Sequence, residues 1–155
     1  MDELNIALGE SRDGTAGMFL TFAVDDEDYG IGIAYVTEII NMQAITEVPE
    51  LPPHIKGIIN LRGKIIPVMD VRIRFNKSVR DYNDRTCIIV VDVGDTGIGL
   101  IVDMVRDVMH IDEEDVVPPA GGTQSGGGNR YIAGVAKSSE KFNLLLDIER
   151  LVSDV

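Results

Sequence analysis

The side chains in this sequence that could act on a substrate are few and scattered. Asp92, Asp95, Asp103 and Asp107 crowd one stretch, and acid–base catalysis needs carboxylates held in unlike environments so that one keeps a proton while another loses it. Their placement on strand faces instead suits solubility. Asp25-Asp26-Glu27-Asp28 with Gly30 has the look of a calcium loop, but Val36 occupies the position where a bidentate glutamate should close it, so it reads as a solvated turn. His54 and His110 are the only histidines, and neither stands at ligand spacing with the other or with Cys87. Ser11, Ser78, Ser125, Ser138, Ser139 and Ser153 lie in loops or tails without a nucleophile-elbow pattern. The run Gly121–Gly128 lacks the Lys-Ser/Thr ending of a phosphate loop and reads as a connector. No metal cluster, nucleotide site or cofactor is implied. A small β-barrel ligand-binding domain or enzyme using the acidic side chains stands as the alternative to a binding protein.

One exposed cation does have a defined position. In the stretch HIKGIINLRGKIIPVMDVRIRF (54–75), Ile58, Ile59 and Leu61 make one strand and Ile65, Ile66 and Val68 another, around an Arg62-Gly63-Lys64 corner. Gly63 supplies the positive φ that a short hairpin needs, leaving Arg62 at the tip, where binding residues tend to lie. Pro67 cannot donate to a ladder, so the second strand should sit at an edge, end early or bulge there. The piece that follows presents a charged face at Arg72 and Arg74.

The other elements are equally short. Phe19 to Val24 and Tyr29 to Ile33 form a hairpin about the acidic turn Asp25 to Asp28. Val36, Ile39 and Ile40 fall at helical spacing, predicting a short helix, and Ile45 to Val48 predicts a strand stopped by Pro49. Thr86 to Val93 is a buried-type strand holding an inert Cys87. Asp147 is placed to cap a terminal helix with Ile148, Leu151 and Val152 on its apolar stripe.

The pattern then repeats. Gly30-Ile31-Gly32-Ile33 returns as Gly97-Ile98-Gly99-Leu100; Val36-Thr37-Glu38-Ile39 returns as Val105-Arg106-Asp107-Val108, and Val48-Pro49 as Val117-Pro118, both displaced by 69 positions. Gly57, Lys64 and Asp70 return as Gly134, Lys141 and Asp147, displaced by 77, the difference being the glycine-rich insert. Two similar small β-barrels or rolls are implied, from residues 19–83 and 84–152. Each is too small for a comfortable core of its own, so a shared interface with a groove is expected.

Composition agrees. The chain has 155 residues, 45% hydrophobic but only 5% aromatic and without tryptophan, so Ile, Val, Leu and Met must build the core. A formal net charge of -12 argues against nucleic acid and anionic membranes as partners. Residues 1–17 read as an acidic flexible leader, residues 18–155 as the folded part, and no apolar run approaches membrane-spanning length, which together predict a soluble cytoplasmic protein without membrane insertion.

The segments EDYGIGI with VTEI, KGIINLRGKIIPVMDVRIRF, DYNDRT, IGLIVDMVRDVM and LLLDIERL, in that order over nearly the whole chain, make it resemble the CheW coupling proteins of bacterial chemotaxis. The resemblance implies a mostly β fold of two tandem SH3-like five-stranded barrel subdomains, intertwined, with short helices and a C-terminal helix. It implies a non-catalytic adaptor joining the cytoplasmic tips of methyl-accepting chemotaxis receptors to the regulatory domain of the histidine kinase CheA, with the receptor helix in the groove between subdomains. Ile33, Val36 and Ile39 with Val102, Val105 and Val108 are then expected to line that groove, at least half of the six being fully buried. Arg62 is expected to pair with Glu38, which would aim its planar guanidinium at a partner.

Overall fold

In a computed structural model, which describes residues 17–119, 130–138 and 141–154, short strands dominate. They are β1 (Met18–Val24), β2 (Glu27–Gly32), β3 (Val36–Asn41), β4 (Ile55–Leu61), β5 (Lys64–Asp70), β6 (Cys87–Val93), β7 (Thr96–Val102), β8 (Met104–His110), β9 (Val116–Val117), β10 (Ile132–Ser138) and β11 (Lys141–Leu146). Helices α1 (Val71–Arg74) and α2 (Ile148–Ser153) follow β5 and β11, and 3-10 turns cover Ile33–Tyr35 and Glu113–Asp115. The expected leader, apart from Gly17, and the insert Gly121–Gly128 lie outside the described residues.

Both hairpins form as the turn residues require: Val24 faces Glu27 across Asp25-Asp26, and Leu61 faces Lys64 across Arg62-Gly63. The strands make two sheets, ordered β8-β1-β2-β11-β10-β9 and β3-β6-β7-β5-β4. Each sheet takes strands from both halves of the repeat. The chain leaves β2 of the first sheet for β3 at the edge of the second, and leaves β7 of the second for β8 at the edge of the first. Parallel pairs β2/β11 and β5/β7 join the borrowed strands to the rest. The sheets hold six and five strands against the five each that were expected, the surplus being the two-residue β9.

Neither sheet closes on itself through hydrogen bonds among the described residues, yet both curl. Phe19 on β1 shares a small apolar cluster with Val116 on β9 and Ala136 on β10, and Ile40 on β3 packs on the cluster holding Ile59 of β4. Those strands lie toward opposite edges of their sheets, so only curling brings them together. The opposite faces of the two sheets meet in a larger shared core that includes Leu20, Phe22, Ile31, Met69, Ile89, Leu100 and Leu146. Helix α2 adds Ile148, Leu151 and Val152 to it, and Asp147 caps α2 by accepting the Arg150 N–H, both as expected. Asp70 caps α1 in the same way, accepting the Arg72 N–H at 2.9 Å.

The registers revise the repeat. Val68 pairs with Gly99, and Leu145 pairs with Gly30, so the counterpart of Gly30 is Gly99, not Gly97, and the displacement is 69 throughout the first three strands of each half. Both positions are also crowded. A Cβ on Gly30 would stand 2.9 Å from Leu145 Cδ2, and one on Gly99 2.8 Å from Ile88 Cγ2.

Four local expectations are also corrected. Val36 to Ile40 is not a helix: its β-branched residues form β3, with half-buried and exposed positions alternating at the period of a strand. Ile45 to Val48 makes only a single bridge, Thr46 with Ile58. Strand β5 is interior rather than an edge, but its pairing with β7 begins at Val68, just past Pro67, so the missing N–H interrupts no parallel ladder. The charged face fails at Arg72, whose side chain is only 5% exposed because it is bonded to acids from other elements; Arg74 is half-buried beside Tyr131 and Asp154.

Two outcomes follow from this packing. Gly57 has φ of 152°, and a Cβ there would lie 2.2 Å from the Thr46 carbonyl oxygen, which is backbone and cannot yield. Gly57→Ala should therefore cost about 2 kcal/mol or more, seen as a drop of several degrees in Tm. The Asp154 carboxylate accepts from Arg130 Nε at 2.7 Å and from the Tyr131 hydroxyl at 2.9 Å. The Arg130 hydrogen bond, against some burial and helped by Tyr131, holds its pKa below the usual carboxylate range. A folded pKa below the unfolded one gives stability that is present above about pH 4 and lost as pH falls through the lowered value. Asp154→Asn should accordingly lose less Tm than the parent between about pH 7 and about pH 3.

Candidate functional site

The tip of the β4–β5 hairpin is shaped by two left-handed residues in succession. Arg62 has φ of 52° and Gly63 of 85°, the pattern of a type I′ loop, and Gly63 N–H donates to Asn60 Oδ1 at 2.8 Å. For Gly63 this conformation is free, whereas for Arg62 it costs about 1 kcal/mol, strain that the hairpin holds in place. Its guanidinium is paired with Glu38 on β3. The Arg62 side chain remains 70% exposed and Glu38 23% exposed, so the pair adds little stability but fixes where the cation points. Beside it Thr37 donates to Asp92 Oδ2 at 2.9 Å, and Lys64 Nζ stands 4.0 Å from Asp92 Oδ1. The structure thus brings together the two polar residues expected at the site and adds Thr37, Lys64 and Asp92. Those three come from β3, β5 and β6, and no local sequence signal links them.

The six aliphatic candidates divide. Val102 is buried in the shared core, while Ile33, Val36 and Val105 are half-buried against that same core; Ile39 is 46% exposed and Val108 50% exposed. The expectation that at least half would be fully buried fails, because β3 and β8 are edge strands, paired on one side only, with β6 and β1. Displaced by 69, Val36 corresponds to Val105 and Ile39 to Val108. Both strands carry a register shift within this segment, a device that re-aims side chains at a sheet edge. Sequence reasoning missed two further exposed pairs at equivalent positions, Val48 with Val117 and Ile65 with Phe142. Residue type alone gives no sign of exposure.

A cavity of about 430 Å³ opens on the first sheet over Val105, lined also by Thr21, Asp28, Arg106, Lys141 and Asn143. Two carboxylates, Asp28 and Asp107, line it; Asp28 accepts from Arg106 Nε at 2.7 Å and stands 4.0 Å from Lys141 Nζ, so it is a paired acceptor. Among the described residues no group of three or more His, Cys, Asp or Glu side chains could hold a metal ion. Burial pushes the Cys87 thiol up, which makes it a poor nucleophile. His54 is held low by burial and by the neighbouring Arg74.

Comparison with known proteins bears on this arrangement directly. A family model described as a CheW-like domain matches residues 18–155. The chain is 36% identical over 135 residues to chemotaxis protein CheW of Klebsiella aerogenes, covering 87% of this chain and 81% of that one. It is 33% identical over 138 residues to chemotaxis protein CheW of Treponema pallidum, with 86% and 81% covered. The crystal structure of scaffolding protein TtCheW from Thermoanaerobacter tengcongensis matches with a TM-score of 0.78 at 37% identity, covering 84% of this chain and 88% of that one. The two curled sheets correspond to the SH3-like subdomains of that fold, and the family consists of non-catalytic chemotaxis scaffolds and adaptors. No helix among the described residues is long and apolar enough to cross a membrane. Sequence and fold agree over nearly the whole length, and the chain belongs to the CheW-like family.

Proposed function

We propose that this protein is a cytoplasmic adaptor that couples chemoreceptor tips to the histidine kinase CheA. The observation that carries the reading is the seam between the sheets: Val36 and Val105, at equivalent positions on the two edge strands, are both half-buried against the one core that the sheets share. With Ile39 and Val108 exposed farther along the same strands, aliphatic surface is available from both sheets to the apolar face of a receptor helix. Burying each such side chain gains roughly 1.5 to 3 kcal/mol against an association cost of roughly 4 to 15, which sets micromolar affinity as the scale. The Arg62–Glu38 patch lies wholly on the second sheet, and its exposed guanidinium is offered to a carboxylate of the receptor or of the kinase regulatory domain.

Val36→Asp and Val105→Asp should each abolish binding of a receptor cytoplasmic fragment while the circular dichroism spectrum stays that of the parent; unchanged affinity in either variant removes that residue from the groove. Arg62→Ala should leave Tm nearly unmoved, within about 1 kcal/mol. It should nevertheless weaken receptor binding or kinase activation severalfold. Arg62→Lys should not restore it, since lysine lacks the planar fork. Loss of stability and binding together would assign Arg62 a structural role instead.

A further inference from the structure

The repeat makes the molecule nearly symmetric, and at one place the symmetry is broken in three residues at once. Arg72 donates through Nε to Asp103 Oδ1 at 2.9 Å and through Nη2 to Asp103 Oδ2 and Asp25 Oδ1, each at 2.9 Å, while its Nη1 reaches the Ser78 carbonyl at 2.6 Å. Asp103 also accepts the Asp25 backbone N–H at 2.8 Å and Arg80 Nη2 at 2.9 Å. At the equivalent positions of the other half stand Glu149 for Arg72, Ala34 for Asp103 and Gly94 for Asp25. Ala34 and Gly94 supply no carboxylate and Glu149 no cation, so these three positions cannot form the same cluster. The turn itself is the same: Asp25 has φ of 61° and Gly94 of 60°, so a carboxylate is kept at a position where the other half uses the unstrained residue.

The location of the cluster indicates its use. Asp103 is the single residue between β7 of the second sheet and β8 of the first, and its N–H is bonded to the Ala23 carbonyl at 3.1 Å. Arg72 belongs to α1 at the end of β5, in the second sheet, and Asp25 to the β1–β2 turn of the first. One buried guanidinium therefore ties the crossing corner to both sheets. The other crossing has the 3-10 turn Ile33–Tyr35 in this position, with Tyr35 beside Asp147 and Glu149, whose charges add to burial in pushing its hydroxyl up to about 12. Burial raises the Asp103 carboxyl, but hydrogen bonds from Arg72 and the Asp25 N–H outweigh it and hold the group ionised.

We infer that Arg72, Asp103 and Asp25 are positioning residues that anchor the start of edge strand β8, and so hold Val105 and Val108 in register for the groove partner. This rests on the groove reading above. Edge strand β8 has ladder bonds on one side only; Arg106 on Asp28 and Thr21 on the Asp107 backbone hold it farther along, and the corner is what fixes its first residue. Strand β3, its equivalent, is tied by Thr37 to Asp92 and by Glu38 to Arg62, contacts that neither variant below touches, and serves as an internal control.

The test is amide hydrogen exchange on the whole protein, with Asp103→Asn and Asp25→Gly as variants. Asp25→Gly supplies the residue found at the equivalent turn and relieves its strained φ, which offsets part of the cost of removing one acceptor of the latch. Both variants should speed exchange over 103–110 by about tenfold with 36–41 unchanged. Receptor-fragment affinity should fall by a comparable factor. Unchanged protection of β8, or equal loss in β3 and β8, overturns the inference. If the parent protein itself binds no receptor fragment, the groove reading fails and the exchange data alone decide whether the latch exists.

Discussion

The apolar layer between the two sheets is the constraint from which the remaining structure follows. With eight aromatic residues and no tryptophan, the chain places half of its aromatics in one row: Phe22 on Tyr29 at 5.6 Å, Tyr29 on Phe75 at 5.4 Å and Phe75 on Tyr131 at 6.1 Å between ring centres. The row starts on β1 and β2, passes the end of α1 and reaches the residue before β10. Each sheet is also covered on its other face by a private cluster, so strands such as β1 and β7 are buried along nearly their whole length. The edge strands β3 and β8, paired on one side only, keep Ile39 and Val108 exposed next to the shared core, which leaves apolar surface there for a partner.

Local signals in the sequence were strong wherever backbone chemistry decides. Arg62-Gly63 and Asp25-Asp26 are turns, Asp147 is a cap, and the run Cys87 to Val91 is a buried strand, each for a reason contained within a few residues. Val36 to Ile40 is ambiguous in sequence because a β-branched run with alternate half-burial also satisfies helical spacing when only three apolar positions are counted. The repeat was legible, but its register was not: a Gly-Ile-Gly-Ile string matches Gly97 better than Gly99, whereas strand pairing puts Gly99 against Val68 as Gly30 lies against Leu145.

The site was legible in part. Glu38 and Arg62 stand 24 residues apart in sequence, and family resemblance, not spacing, brought them together before the structure did. Arg72 reads as a surface charge in sequence because its partners Asp25 and Asp103 lie 47 and 31 residues away, and a buried cation announces itself only through such partners. The mixed burial of the aliphatic candidates depended on which strands are edges, a property of topology that no single strand encodes.

The exchange of strands between halves has a consequence for how the chain came to be one molecule. Neither half can complete a sheet alone, since β3 needs β6 and β8 needs β1. The same exchange carried out by two identical half-chains would give a closed two-fold dimer whose folding depends on concentration. Joining them through the segment between α1 and β6 makes that encounter intramolecular, so the fold no longer weakens on dilution. It also frees the two copies of each position to diverge, which is how one crossing can hold a buried arginine while its counterpart holds a glutamate.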